Sequence, residues 1–228
     1  MSFDDFAERL ADTRERVARA AGRAGRDADD VALIAVTKGH DFAAMTTALA
    51  HGVLDLGENR VQEALPKLDQ LDESAARVHL IGQLQTNKVN KVVGRFASIM
   101  GVDRDDLLSR IAKRAKEIDV VQPVWIQVNT SGEGQKAGCS PESTAALVGA
   151  AEREPGLELR GLMTMGRADA PETELRTGFS KLRELRDLLC PGGALSMGMS
   201  GDFEIAVEEG STHLRVGTVL FGPRPPRP

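Results

Sequence analysis

Val31-Ala32-Leu33-Ile34-Ala35-Val36, an unbroken apolar run, is followed at once by Thr37-Lys38-Gly39-His40. A run of that length, β-branched and bounded by a turn signal, reads as a buried strand. Similar runs recur at Val53 to Leu56, Val78 to Ile81, Phe96 to Met100, Val124 to Val128, Leu159 to Met163, Ala194 to Met197 and His213 to Val216. Helical periodicity fills the gaps, as in Leu107, Leu108, Ile111, Ala115 and Ile118, or Leu175, Phe179, Leu182, Leu185 and Leu189. Eight strand-then-helix units in 228 residues predict an α/β chain folded as a single (β/α)8 barrel of the TIM type. An open doubly wound sheet usually has fewer units.

Ahead of the first strand, Phe6, Leu10, Thr13, Val17 and Ala20 repeat at helical spacing, so residues 1–30 are expected to form an extra N-terminal helix and linker. That helix could cover the barrel where only a short tail follows the eighth strand. Residues 223–228, Pro-Arg-Pro-Pro-Arg-Pro, cannot be helical and read as an extended tail. No Pro/Gly/Ser-rich linker divides the chain, and residues 1–228 are expected to be one domain.

Composition narrows the function. With 41% hydrophobic and 28% charged residues, the chain is neither disordered nor a disulfide scaffold. The net charge of −5 is spread over interleaved acids and bases, which argues against a nucleic-acid partner. No apolar run approaches the roughly 18 to 20 residues of a membrane span, and Met1-Ser2-Phe3-Asp4-Asp5 is acidic where a signal peptide is basic, so no membrane contact and a cytoplasmic location are expected. A monomer is the expected state. Cys139 and Cys190 lack metal-ligand spacing and read as free thiols. There is no tyrosine, so no phenol of this chain can serve as acid or base.

In such barrels the active face is built from the loops after the strands. Lys38 ends the first strand, where its ammonium would emerge at the barrel mouth. Desolvation there favours the neutral amine, and a lysine so placed can form a Schiff base with a carbonyl. On position alone, a surface lysine with a snorkelling stem is the simpler account. After the seventh strand, Met199-Ser200-Gly201-Asp202 opens a helix running to about Glu209; after the eighth comes Gly217-Thr218. Ordinary capping or a turn explains either loop alone. Together they offer the backbone N–H groups and hydroxyls with which barrels frequently bind phosphate. A Schiff-base lysine facing a phosphate cradle suggests pyridoxal 5′-phosphate (PLP). Arg215, two residues before the cradle, has the parity to face the ring nitrogen, which a permanent guanidinium would keep unprotonated. A structural ion pair with Glu58 or Glu204 is the competing account of Arg215. A lysine and a phosphate site would equally serve an aldolase-like enzyme acting on sugar phosphates.

The remaining candidates have plain explanations. Lys88, Lys91 and Lys136 read as solvated lysines, the alternative being a cationic patch or second cofactor site. His51, His79 and His213 lack metal-ligand spacing, His79 and His213 reading as packed strand residues, and Trp125 reads as core.

With these residues in place, the chain resembles the pyridoxal phosphate homeostasis proteins, whose fold is similar to the N-terminal barrel of alanine racemase. The matching motifs are Ala35-Val36-Thr37-Lys38, Leu56-Gly57-Glu58-Asn59, His79-Leu80-Ile81-Gly82, Leu84-Gln85-Thr86-Asn87-Lys88, Lys136-Ala137-Gly138, Arg160-Gly161-Leu162-Met163-Thr164-Met165, Leu195-Ser196-Met197-Gly198-Met199-Ser200 and Arg215-Val216-Gly217-Thr218. The resemblance implies that Lys38 carries PLP as an internal aldimine, that Ser200, Gly217 and Thr218 hold its phosphate, that Arg215 faces the ring nitrogen, and that Asn59 and Met199 contact the ring or pocket. It implies binding, buffering and delivery of the cofactor to PLP-dependent apoenzymes, without robust turnover. An amino-acid racemase is the alternative, but a two-base racemase of that kind takes a tyrosine from a separate β domain, and this chain has neither. The chain departs from the family at Arg60, where a tyrosine is common, and at Gly39-His40-Asp41, where His40 reads as a solvated loop histidine.

Overall fold

The computed structural model describes residues 3–72, 76–133 and 137–223. Eight parallel strands close a barrel in chain order: β1 (Ala32–Val36), β2 (Asp55–Glu58), β3 (Arg77–Leu80), β4 (Ser98–Val102), β5 (Gln122–Gln127), β6 (Leu157–Met163), β7 (Ala194–Ser196) and β8 (His213–Val216). β8 returns to pair with β1, Ile34 opposite Arg215 and Ala35 opposite Val216. The helices are α1 (Phe6–Arg23), α2 (Phe42–Ala50), α3 (Val61–Leu68), α4 (Val89–Val92), α5 (Asp105–Glu117), α6 (Pro141–Arg153), α7 (Glu172–Leu189), α8 (Phe203–Glu208) and α9 (Thr218–Phe221).

Alternation along each strand makes two cores. Ile34, Val36, Ile81, Met100, Trp125 and Met163 point inward and fill the barrel. Ala35, Leu56, Leu80, Ile126, Leu162 and Leu214 point outward beneath the helices. Burying one such aliphatic side chain stabilises the fold by about 1.5–3 kcal/mol. Trp125 is core, as its sequence context predicts. Gly161 lets β7 come close at the point where the β5–β6 register slips: its φ is +150°, and a Cβ there would lie 1.9 Å from the Ala194 carbonyl oxygen.

Several expected strand boundaries move by one or two residues, the fourth strand running over Ser98–Val102 rather than Phe96 to Met100. Val53 donates its N–H to the Ala48 carbonyl and so closes the turn after α2, leaving the second strand to begin at Asp55 rather than Val53. The chain after β8 makes a helical turn, α9, before its proline-rich end; residues 224–228 of the expected tail lie outside the described residues. α1 packs where the sequence places it, against α8 and α9. Phe6 and Phe221 have ring centroids 5.1 Å apart, and the Arg16 guanidinium lies 4.6 Å over the Phe203 ring while pairing with Glu204 at 3.0 Å. Both cysteines are free and buried, and among the described residues no helix is long and apolar enough to cross a membrane.

Candidate functional site

Ring closure brings the singled-out residues onto one arc of the C-terminal rim. Ile34 and Val36 point into the barrel, so strand alternation makes Lys38 the next inward position, half-buried, just beyond β1. Gly217, just beyond β8, lies against Val36, where a Cβ would stand 3.1 Å from the Val36 carbonyl oxygen. Ser200, just beyond β7, accepts the N–H groups of Gly217 and Val219 at its Oγ, at 3.4 and 3.3 Å. On the other flank, Val36 pairs with Gly57, which puts Asn59 beyond β2 beside Lys38. Met199, Ser200, Gly217, Thr218, Lys38 and Asn59 therefore follow one another around four adjacent strand ends, β7–β8–β1–β2.

Arg215 lies one layer below them, inside the barrel. It is 4% exposed, and its guanidinium donates from Nη1 to the Ser196 hydroxyl at 2.6 Å and from Nη2 to the Thr164 carbonyl at 2.7 Å. The ion pair considered above is not formed: Glu58 pairs with Lys67, and Glu204 with Arg16. Burial pulls the Arg215 pKa down to about 10, with Asp202 acting in the opposite sense, so the group stays cationic at neutral pH. Asp202 accepts the Met199 N–H at 2.6 Å and thereby fixes the loop that carries Ser200. Burial pushes its carboxyl up, against that hydrogen bond and the Arg215 charge. Sequence reasoning named Asp202 as part of a helix start and missed this role; a carboxylate three residues after Met199, at the N-terminal boundary of a helix, was the available signal.

Behind the rim, on the outward side of β1 and β2, lies a polar group that sequence reasoning also missed. The Thr37 hydroxyl donates to Glu58 Oε1 at 2.7 Å, and Lys67 Nζ donates both to the same oxygen at 2.7 Å and to the Thr37 carbonyl at 3.1 Å. Glu58 is fully buried. Lys67 interrupts the otherwise apolar buried face of α3 formed by Val61, Ala64 and Leu68, and a lysine in such a stripe was the clue.

His40 is not the solvated loop residue expected from sequence. It is buried, with its ring 5.7 Å from Phe3 and 5.4 Å from Phe221, because α1 and α9 close over the loop that follows Lys38. His79 and His213 lie at the opposite, N-terminal end of the barrel. His79 bonds Asp55 at 2.9 Å and Ser98 at 2.8 Å, a polar network where the sequence suggested simple packing, and His213 sits 5.0 Å from Trp125. No cluster of metal-ligating side chains occurs among the described residues. Lys91 is exposed, Lys136 lies outside the described residues, and half-buried Lys88 helps line a rim cavity of about 730 Å³ that reaches the arc at Asn59.

What this arc could hold is an anion with an electrophilic carbon at its far end. The hydroxyl and N–H groups of Ser200, Gly217 and Val219 stand on one side, Lys38 on the other, and a buried cation, Arg215, beneath. A Cβ at Gly217 would press on the Val36 carbonyl at 3.1 Å, so a side chain there would crowd the cradle.

Residues 9–225 match the family described as alanine racemase, N-terminal domain. A pyridoxal phosphate homeostasis protein of Pseudomonas aeruginosa is 41% identical over 220 residues, covering 96% of each chain. The chain belongs to the pyridoxal phosphate homeostasis proteins. Another member of that family, from Aquifex aeolicus, is 40% identical, covering 95% of this chain and 97% of its own. Among solved structures, PipY of Synechococcus elongatus PCC7942 with PLP bound has a TM-score of 0.82 at 36% identity, covering 95% of this chain and 100% of that one. The alanine racemase of Corynebacterium glutamicum, at 17% identity and a TM-score of 0.73 over 97% of this chain and 62% of its own, shares the barrel fold.

Proposed function

We propose that this chain binds pyridoxal 5′-phosphate at the β7–β8–β1–β2 rim and serves to hold, buffer and deliver it. The observation that carries the reading is the approach of Gly217 to Val36, which sets an N–H and hydroxyl cradle beside the inward-facing Lys38. Bound there, the cofactor would supply an aldehyde that a primary amine can capture as a carbon–nitrogen double bond, the carbonyl oxygen leaving as water. Lys38 provides the amine. Ser200, Gly217 and Thr218 hold the phosphate, while Arg215 faces the ring nitrogen, and Asn59 and Met199 border the ring. Family membership, and the PLP carried by PipY, support this assignment.

We infer further that turnover is not its role. Proton transfer on both faces of a substrate needs two bases, and the chain has no tyrosine to supply the second. A cationic Arg215 would leave the ring nitrogen unprotonated and the ring a weak electron sink. The reading makes the chain a cytoplasmic, monomeric, single-domain carrier whose recipients are PLP-dependent apoenzymes.

The test is borohydride reduction of the protein incubated with PLP, followed by peptide mass spectrometry. An adduct on Lys38, absent from Lys38→Ala, supports the reading. Reduction that labels a different lysine, or none, overturns it. Incubation of the loaded protein with L-amino acids should yield no D-enantiomer above background.

A further inference from the structure

Glu58 is wholly buried, its charge is met by Lys67, and its Oε2 has no hydrogen-bond partner among the described residues. Stability alone does not account for this arrangement. A buried ion pair loses so much solvation that apolar residues of similar volume often serve as well or better, and a half-satisfied carboxylate is poorer still. Its connections point to a different use. Thr37 is held at every polar atom it has: its N–H donates to the Gly57 carbonyl at 3.0 Å, its hydroxyl to Glu58, and its carbonyl accepts from Lys67 and from the His40 N–H at 3.2 Å. The next residue is Lys38. The other end of the same pair is tied to the opposite flank of the arc, because the Glu58 carbonyl accepts the Ile81 N–H at 2.8 Å and Glu58 is followed by Asn59.

We propose that Glu58, Lys67 and Thr37 are positioning residues for Lys38: they lock the backbone from which its side chain springs, so that the amine meets the aldehyde of a cofactor already anchored by its phosphate. This rests on the PLP reading above and goes beyond it, since none of the three touches the cofactor. Side chains facing outward from β1 and β2 thus govern chemistry on the inward face. Strand alternation makes that possible, because a residue cannot shift without moving its neighbour on the opposite face.

Two ligands separate positioning from general structural support. Pyridoxine 5′-phosphate has the same ring and phosphate but an alcohol in place of the aldehyde, so it uses the cradle without linking to Lys38. In the double variant Glu58→Met with Lys67→Met, which removes both charges and so leaves neither stranded, the dissociation constant for PLP should rise about tenfold or more, the scale of one well-placed polar contact. That for pyridoxine 5′-phosphate should stay within about twofold, and the visible absorbance of the lysine-linked cofactor should fall. Thr37→Val, which keeps the ion pair and nearly the same volume, should move PLP affinity in the same direction by a smaller factor. Equal weakening of both ligands, or no change in either, overturns the proposal while leaving the PLP reading intact. Wild-type protein that forms no Lys38 adduct overturns both.

Discussion

The Oγ of Ser200 lies 3.3 Å from the amide nitrogen of Val219, so one hydroxyl bridges the loop after β7 to the first turn of α9. The bridge is long for a hydrogen bond and leaves the N–H groups available for a stronger, charged acceptor. Ser200→Ala should weaken PLP binding by about 1.5–3 kcal/mol, roughly a factor of ten to a hundred, through loss of a charge-assisted hydrogen bond. Thr218→Ala should act in the same direction. Equilibrium dialysis of both variants checks this; unchanged dissociation constants in both would remove the phosphate assignment.

Asp202 holds that loop from the other side by accepting the Met199 N–H. Asp202→Ala should lower stability in urea by about 1.5–3 kcal/mol, the scale of a hydrogen bond to a charged group, and should also weaken PLP binding. Asp202→Asn keeps an acceptor oxygen and should recover most of both losses. Comparable defects in the two variants would mean that the charge, and not the capture of the Met199 N–H, is what matters.

Gly82, beyond β3, approaches Asn59 so closely that a Cβ would come within 2.2 Å of the Asn59 carbonyl oxygen. A backbone atom cannot yield as a side-chain tip can, so Gly82→Ala should displace Asn59 and the adjoining rim. A destabilisation of about 1–3 kcal/mol, the usual range for overpacking, is expected together with weaker PLP binding. Thermal unfolding and a binding titration read the two effects separately.

The N-terminal floor of the barrel predicts the acid limb of the stability curve. Burial, and secondarily the nearby His79, hold His213 down to about 4, whereas an unfolded histidine titrates near 6.5. Between those values the unfolded chain binds the extra proton, so stability rises with pH across this window and is lost as pH falls through it, by about 3 kcal/mol in all. Asp55 acts lower. Burial by itself would raise its carboxyl, but hydrogen bonds from His79 and Arg77 outweigh burial and hold it well below the usual range. Its contribution is present above about pH 4 and disappears on further acidification. Melting temperatures between pH 4 and 7 should slope less in His213→Gln than in wild type; parallel curves would rule the assignment out.

The barrel was legible in the sequence because most of its strands contain short apolar runs and amphipathic helical stretches separate them, and eight such units in series leave few alternatives. Parity put Arg215 on the inward face, where it stands opposite Ile34, and Lys38 lies two and four residues beyond the inward-facing Val36 and Ile34. What could not be read were relations between elements that meet only when the layers stack. His40 is buried because Phe3 and Phe221, from opposite ends of the chain, meet over it. Lys67 finds Glu58 only once α3 folds back over the strand it follows. Periodicity reports which face a residue occupies, but the partner waiting on that face depends on how the layers are stacked.

On the proposed reading the joint between β8 and β1 is a seam, with Lys38 on one side of it and the residues assigned to the phosphate on the other. A fragment lacking the last two units retains Lys38 but not the residues proposed to anchor the phosphate, so a growing polypeptide should acquire affinity only after β7 and β8 have been made. Conversely, a vitamer attached to the first strand and gripped by the last two would act as a clasp on the ring. It should slow opening at the very place where chain ends must part for the barrel to unravel.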